Sequence, residues 1–254
     1  MPLTVTAIEQ HLRTTRFGRP LSVHEELDST NLTVKALAAQ GAAEGTTVVA
    51  CRQTAGRGRL GRCFHSPDGG LYLSLLLRPA ADTDAGLITS CAAVAVARAI
   101  ERVTNLSVGI KWVNDLYING RKVCGILAEG LLSATGERQG IVLGIGINVA
   151  RTALPSDLTN IATSLEEAGC RPPREVLVAA VLEEWERAYT TLHTGDFLKD
   201  SRRLSVVLGR DITVFRGSQS FPAVAQAIDD HGHLVVRTAD GLLTLPSGEV
   251  SLRL

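Results

Sequence analysis

The sequence predicts an α+β protein in two parts: a sheet with packed helices over residues 1–204 and a small β-barrel over 205–254. Three observations predict it. Ile110 to Val149 has the pattern of an antiparallel meander, hinged on Asn119-Gly120, the dipeptide that most favours a two-residue hairpin turn. Arg174 to His193 is an amphipathic helix, with Leu177, Val181, Trp185, Ala188 and Leu192 on one stripe. From about Ser205 the chain turns to short apolar runs, separated at Arg216-Gly217, Asp230-His231-Gly232, Asp240-Gly241 and Ser247-Gly248. Turn signals every 8–12 residues or so suit a barrel.

The remaining elements follow in order. Residues 1–26 hold one short helix around Ile8 and Leu12. A helix-turn-helix domain needs several helices; the expectation is that none precedes the first motif. Leu32 to Gln40 reads as a helix closed by Gly41, with Asp28 or Ser29 as its N-cap. Thr47 to Ala50 and Leu71 to Leu77 read as strands on either side of a loop, and Asp84 to Val103 as a buried helix. In the meander, Ile110 to Ile118 is one strand, Lys122 to Glu129 its return, and Ile141 to Val149 a third strand carrying Gly144 and Gly146. Glycine inside a strand marks close approach of a ligand or backbone. Asp157 to Ala168 is read as helical.

Lys+Arg and Asp+Glu both number 26, so the net charge is zero and general affinity for nucleic acid or membranes is not expected. Five cysteines are scattered without a C-x-x-C pair, which argues against a zinc site and against a disulfide framework. No signal peptide or membrane span is visible, so a reducing cytoplasm is the expected location.

The balanced charge makes one local imbalance informative. Arg52, Arg57, Arg59 and Arg62 alternate with Gly56, Gly58 and Gly61, and the next acid is Asp68. Glycine lets backbone N–H groups approach a ligand, and arginine adds a fork of donors that fits phosphate and carboxylate. The spacing is neither a P-loop nor a dinucleotide fingerprint. A flexible basic surface loop is the plain alternative to an anion-enclosing one. Asp28-Ser29-Thr30-Asn31 likewise reads either as a helix cap or as hydroxyls and an amide offered to a polar ligand. Lys122 shares the meander with Lys111, Asn114 and Asp115. A carboxylate can attack an α-phosphate only when their mutual repulsion is cancelled, which a fixed ammonium and a divalent cation both do. Asp115 or Asn114 could place Mg²⁺ together with the phosphates.

Taken together, Gln53-Thr-Ala-Gly-Arg-Gly-Arg-Leu-Gly-Arg62, Lys111-Trp-Val-Asn-Asp-Leu116, Arg121-Lys-Val-Cys-Gly-Ile-Leu127 and Gly144-Ile-Gly-Ile-Asn148 resemble the signature blocks of biotin protein ligases. Asp28-Ser-Thr-Asn31 and the closing Gly248-Glu-Val-Ser-Leu-Arg253 fit the same pattern, in the same order, over about residues 25–254. The resemblance implies a catalytic domain of mixed sheet and helices, like that of class II aminoacyl-tRNA synthetases, plus an SH3-like barrel. It implies the monofunctional type, without DNA binding. Biotin and MgATP would give biotinyl-5′-AMP and pyrophosphate. The biotinyl group would then pass to a lysine of a biotin carboxyl carrier protein, such as that of acetyl-CoA carboxylase. Homodimerisation is compatible with it.

Carried over by residue, Ser29, Thr30, Asn31 and Gln53 would hold the biotin ring system, and Gly56, Arg57, Gly58 and Arg59 would close over the biotinyl and phosphate groups. Lys122 would bridge carboxylate and α-phosphate beside Gly125, with Lys122 and Arg59 the catalytic pair. Arg59, Arg62, Phe64, Lys111, Trp112, Asn114, Asp115 and Asn148 would lie on the nucleotide side, Asp115 also toward Mg²⁺. Three positions depart from the pattern: Val113 stands where proline is usual, Phe64 where tryptophan is common, and Ala150 where asparagine is frequent. A lipoate or octanoate transferring enzyme of the same fold, and a biotin-responsive regulator, are the alternatives. The complete arginine loop argues against the first and the neutral charge against the second.

Overall fold

The computed structural model describes residues 2–80, 82–133, 135–152, 155–246 and 250–253, the last four by their backbone alone. Helix α1 (Val5–Glu9) leads to an edge strand β1 (Leu21–Leu27), helix α2 (Thr30–Ala39) and strand β2 (Thr47–Gln53). Strand β3 (Leu71–Leu77) and helix α3 (Ala85–Thr104) follow. The meander comprises β4 (Gly109–Lys111), β5 (Asp115–Ile118), β6 (Arg121–Leu132) and β7 (Arg138–Ile147). Helices α4 (Arg174–Thr190) and α5 (Phe197–Arg203) lead to the second sheet, β8 (Asp211–Arg216), β9 (Gln219–Ile228), β10 (Leu234–Thr238), β11 (Gly241–Leu245) and β12 (Val250–Arg253).

The first sheet has the order β1-β2-β3-β7-β6-β5-β4 and is antiparallel except for the β1–β2 pair. All seven residues of β3 are buried because helices cover both faces. Leu71, Leu73, Leu75 and Leu77 face the main core with α3 and α4, whereas Leu76 joins Val142 of β7 and Val34 of α2 in a smaller cluster on the other face. Side chains alternate along a strand, so Tyr72 and Ser74 share the α2 face with Leu76. Register carries that face across the sheet: Tyr72 pairs with Gly146 and Ser74 with Gly144, while Gly125, Leu127 and Glu129 of β6 pair with Gly146, Gly144 and Val142. This row is the floor of the site.

Helix α3 starts on a side-chain cap, Asp84 Oδ1 accepting from Gly86 N at 2.6 Å, and stops at Asn105 in the left-handed region (φ 58°). Its alanines let it lie close between the sheet and α4. The predicted α4 stripe is buried throughout, and Trp185 packs edge-on to Phe17 with ring centroids 5.9 Å apart. The second sheet, ordered β11-β10-β9-β8-β12, is antiparallel throughout and packs into the same core. Asn119 and Gly120 both have positive φ, as the predicted hairpin requires. No described helix is long and apolar enough to cross a membrane.

Several elements differ from expectation. Leu21–Leu27 is a strand that the sequence did not disclose, since its Ser-Val-His-Glu-Glu core lacks alternation and depends on parallel pairing with β2. Helix α5 was likewise unforeseen. It is tied to α3 by the Arg98–Asp200 ion pair. The predicted strand 110–118 is two strands, reversed at Trp112-Val113-Asn114 so that Lys111 pairs with Asp115. Asn114 drives this break: its side-chain amide donates to Ile126 O at 3.0 Å and its backbone carbonyl accepts from Ile126 N at 2.9 Å. The predicted helix 157–168 does not form. Its backbone pairs with the sheet instead, through Lys122 N to Ile161 O, Thr163 N to Lys122 O and Leu165 N to Asn148 O. Of the predicted turns, Ser247-Gly248 lies outside the described residues.

Candidate active site

A cavity of about 640 Å³ opens on the α2 face of the first sheet, between the arginine–glycine loop, the start of α2 and the β4–β5 turn. Its inner end is polar. Gln53, the last residue of β2, accepts at Oε1 from Thr30 N at 2.8 Å and donates from Nε2 to Ser66 Oγ at 3.0 Å. Ser74 Oγ lies 2.7 Å from Thr30 Oγ1 and 2.6 Å from Asn31 Oδ1. Ser29 occupies the N-cap position of α2, yet its side chain does not cap the helix, and it lines the cavity.

The glycines of the floor make room for specific neighbours. A Cβ on Gly144 would stand 2.2 Å from Asn31 Oδ1. One on Gly146 or Gly125 would meet the Phe64 ring at 2.6 or 2.8 Å. The ring therefore packs against glycines of two paired strands, with Lys122 Nζ 5.6 Å from its centroid. Above them the loop doubles back, Gly58 N donating to Arg62 O at 2.7 Å. Leu60 takes up positive φ (57°) at its tip.

At the other end, Lys122 Nζ stands 2.6 Å from Asp115 Oδ1. That oxygen is buried, and the Lys122 ammonium is the group that meets its charge. Arg59 donates to Asn114 Oδ1 at 3.1 Å, and burial presses its pKa down against the supporting charge of Asp115. Tyr117 is pushed up to about 12, by burial first and then by Asp115. Trp112 reaches out of the turn to donate to Gly232 O at 3.0 Å, linking the β4–β5 turn to the second sheet.

Ser29, Thr30, Asn31, Gln53, Arg57, Gly58, Arg59, Arg62, Phe64, Lys111, Trp112, Asn114, Asp115, Lys122 and Gly125 all line this one cavity. Two predicted residues do not. Gly56 lies beneath the loop, where a Cβ would strike Phe64 O at 2.3 Å. Asn148 turns to the 155–166 segment, its amide donating to Thr163 O at 2.9 Å. Among the described residues, no cluster of three or more His, Cys, Asp or Glu could hold a metal ion.

The chain matches the biotin/lipoate A/B protein ligase family over residues 23–148 and the biotin protein ligase C-terminal domain over 207–253. It is 37% identical to the bifunctional ligase/repressor BirA of Bacillus subtilis, over 98% of this chain and 79% of that protein. The chain belongs to the biotin protein ligase family. The ligase is also 31% identical to the biotin–[acetyl-CoA-carboxylase] ligase of Mycobacterium tuberculosis, over 91% of this chain and 88% of that one. A biotin protein ligase from Aquifex aeolicus, solved in complex with biotin and ATP, superposes with a TM-score of 0.81 at 31% identity, covering 92% of this ligase and 98% of that chain.

Sequence reasoning missed several residues of the ligase's site. Ser74 is the single polar residue in the run Leu-Tyr-Leu-Ser-Leu-Leu-Leu; a buried hydroxyl there signals a partner. Phe215 enters the cavity from β8, and nothing in its local sequence says so. Glu129 lies outside the cavity and accepts from Asn31 Nδ2 at 2.7 Å, Lys35 Nζ at 2.8 Å and Arg57 at 3.2 Å. Burial opposes its charge, but those donors outweigh it and hold its pKa below the ordinary glutamate value. Its i, i+2, i+4 spacing from Leu127 and Gly125 was the available signal.

Proposed function

We propose that this ligase activates biotin with ATP and transfers it to a lysine of a biotin carboxyl carrier protein, the carrier of acetyl-CoA carboxylase or a related carboxylase. The observation that supports this most is the meeting, in one cavity, of a pocket of neutral donors and acceptors, a charged lysine and an arginine loop. Its volume lies in the range of small-molecule sites. Thr30, Asn31, Gln53 and Ser29 offer the donors and acceptors that a ureido group needs. The glycine floor admits a flat bicyclic ring beside Phe64. The chain's residues from 1 to 204 carry the chemistry in this reading, and 205–254 close the cavity through Phe215.

In the first step a biotin carboxylate oxygen bonds to the α-phosphorus of ATP, the bond to the bridging oxygen breaks, and pyrophosphate leaves. Both reactants are anionic. Lys122 stands where it cancels their repulsion, and Asp115 holds its ammonium in place. Arg59, fixed to Asn114, carries a second positive charge to the phosphate side. Lys111, Trp112 and Arg62 complete that wall. Mg²⁺ bound to the phosphates would neutralise charge on the leaving pyrophosphate. Among the described residues Asp115 is the one carboxylate lining the cavity, and its Oδ1 already meets Lys122, which fits an ion held mainly by its nucleotide. In the second step the carrier lysine's amine attacks the mixed anhydride's carbonyl carbon and AMP leaves. The closed loop keeps water from competing.

The test is ATP–pyrophosphate exchange on the purified chain with biotin or lipoate, followed by biotin incorporation into a carrier domain. Exchange with biotin and single-lysine labelling are expected. Exchange with lipoate alone would overturn the reading.

A further inference from the structure

Glu129 lies seven residues beyond Lys122 on β6, about 23 Å along the extended strand from backbone to backbone, and four beyond Gly125, beside which the Lys122 ammonium lies. It is the acidic group to which Arg57 is paired. Its side chain is only 16% exposed, so the carboxylate has given up most of its water for three protein donors. Two of them, Asn31 and Lys35, come from successive turns of α2; the third, Arg57, comes from the loop.

The chemistry of these contacts is one-directional. A carboxylate only accepts, so Glu129 fixes the Asn31 amide with Nδ2 toward itself. Asn31 Oδ1 must then face Ser74, and it accepts at 2.6 Å. From Ser74 the contacts continue through Thr30 to Gln53, where the loop begins. A chain of polar contacts therefore runs beneath the loop, from its root at Gln53 to its arm at Arg57. Both ends of the loop rest on one mostly buried carboxylate and the amide it orients.

We infer that Glu129 is a positioning residue for this site: it sets the Asn31 amide in the polar pocket and latches Arg57, tying loop closure to the state of that pocket. This rests on the proposed biotin-activating reading for its consequences in turnover. A ligand that holds Asn31 in place favours the same Glu129 orientation that receives Arg57, so filling the pocket favours the closed loop. Arg57 is half-exposed even while paired, so opening the latch frees its guanidinium from the only carboxylate it meets among the described residues and leaves the intermediate less enclosed.

The experiment is a double-mutant cycle with Glu129→Gln and Arg57→Gln, read two ways. The first readout is hydrogen exchange across residues 53–62 without ligand, which does not depend on the reaction. The second is the KM for biotin and the rate at which biotinyl-AMP escapes. Each single variant is expected to speed loop exchange and intermediate loss roughly fivefold, the scale of one partly exposed ion pair. The double variant should be about as fast as one single, because both remove the same contact. Glu129→Gln should raise the KM for biotin more than it lowers kcat. Should Glu129→Gln not fold, Glu129→Asp takes its place, keeping the charge but withdrawing it by one methylene. Loop exchange unchanged in the Glu129 variant, or effects that multiply in the double variant, would overturn the inference. A parent chain without biotin-dependent exchange overturns the functional reading instead, and the hydrogen-exchange cycle still decides the latch.

Discussion

Lys122 reaches Asp115 diagonally across the β5–β6 hairpin, Nζ 2.6 Å from Oδ1, although register pairs Asp115 with Gly125 and Lys122 with Tyr117; both side chains are about three-quarters buried. The pair is what a reaction between two anions needs: a cation held in place by a carboxylate that cannot drift. Lys122→Ala should lower biotin-dependent exchange about a hundredfold, equivalent to about 3 kcal/mol of transition-state stabilisation. The fold should persist, at some cost from the uncompensated Asp115. Exchange within a few-fold of the parent, measured on protein with native circular dichroism, would remove Lys122 from the mechanism.

Gly144 tests the floor. Its added Cβ would fall 2.2 Å from Asn31 Oδ1, an atom already held by Ser74. Gly144→Ala should therefore displace Asn31, cost about 1–3 kcal/mol of stability by overpacking and weaken biotin binding about tenfold or more. Gly130 lies on β6 with nothing within 4 Å of an added Cβ, so Gly130→Ala is the control. Calorimetry that finds parental affinity in Gly144→Ala would contradict this account.

Trp112 tests the link between the two sheets. Its indole N–H donates to Gly232 O, and Asn114 and Asp115 follow it in the same turn. Trp112→Phe keeps most of the packing and removes the donor. About 1 kcal/mol should be lost, or roughly 2–4 °C in Tm for a chain of this size. The KM for ATP should rise more than the KM for biotin. If neither Tm nor the KM for ATP moves, the turn does not depend on the second sheet.

Acid should loosen the N-terminal segment. Glu186 accepts backbone N–H groups from Thr15, Arg16 and Phe17 at 2.8, 2.8 and 3.0 Å. Burial raises its pKa, yet these donors outweigh burial and hold it below 4.5. A carboxylate depressed in the folded state adds stability that is fully present above its unfolded pKa and disappears as pH falls through the folded one. Urea midpoints should therefore be flat above about pH 5 and decline below the ordinary glutamate range. Glu186→Gln should be less stable near neutrality and lose less on acidification. A variant whose acid profile parallels the parent's would exclude Glu186 as a source of that decline.

Much of the chain was legible residue by residue, because the relevant physics is local. Leu71–Leu77 is a strand by its unbroken apolar run, the Asn119-Gly120 hairpin follows from positive φ, and the α4 stripe follows from helical period. The loop's arginines and glycines were legible as candidate anion-binding groups by residue type, whereas the α2 start and Lys122 stood out only beside the other motifs. They also carried the family resemblance.

What the sequence could not decide was which of these residues meet. A strand's side chains alternate, so the floor of the site exists only once register sets Gly125, Gly144, Gly146, Ser74 and Glu129 on one face. The apolar pattern of 110–118 and the polar pattern of 157–168 were both overruled by hydrogen bonds to distant partners, Ile126 in one case and Lys122 and Asn148 in the other. Local pattern records what a segment prefers when half-buried. The tertiary structure decides which backbone groups find partners across the sheet, and here those partners turn Asn114 toward Arg59, draw Asn148 away from the cavity and place Glu129 beneath Arg57.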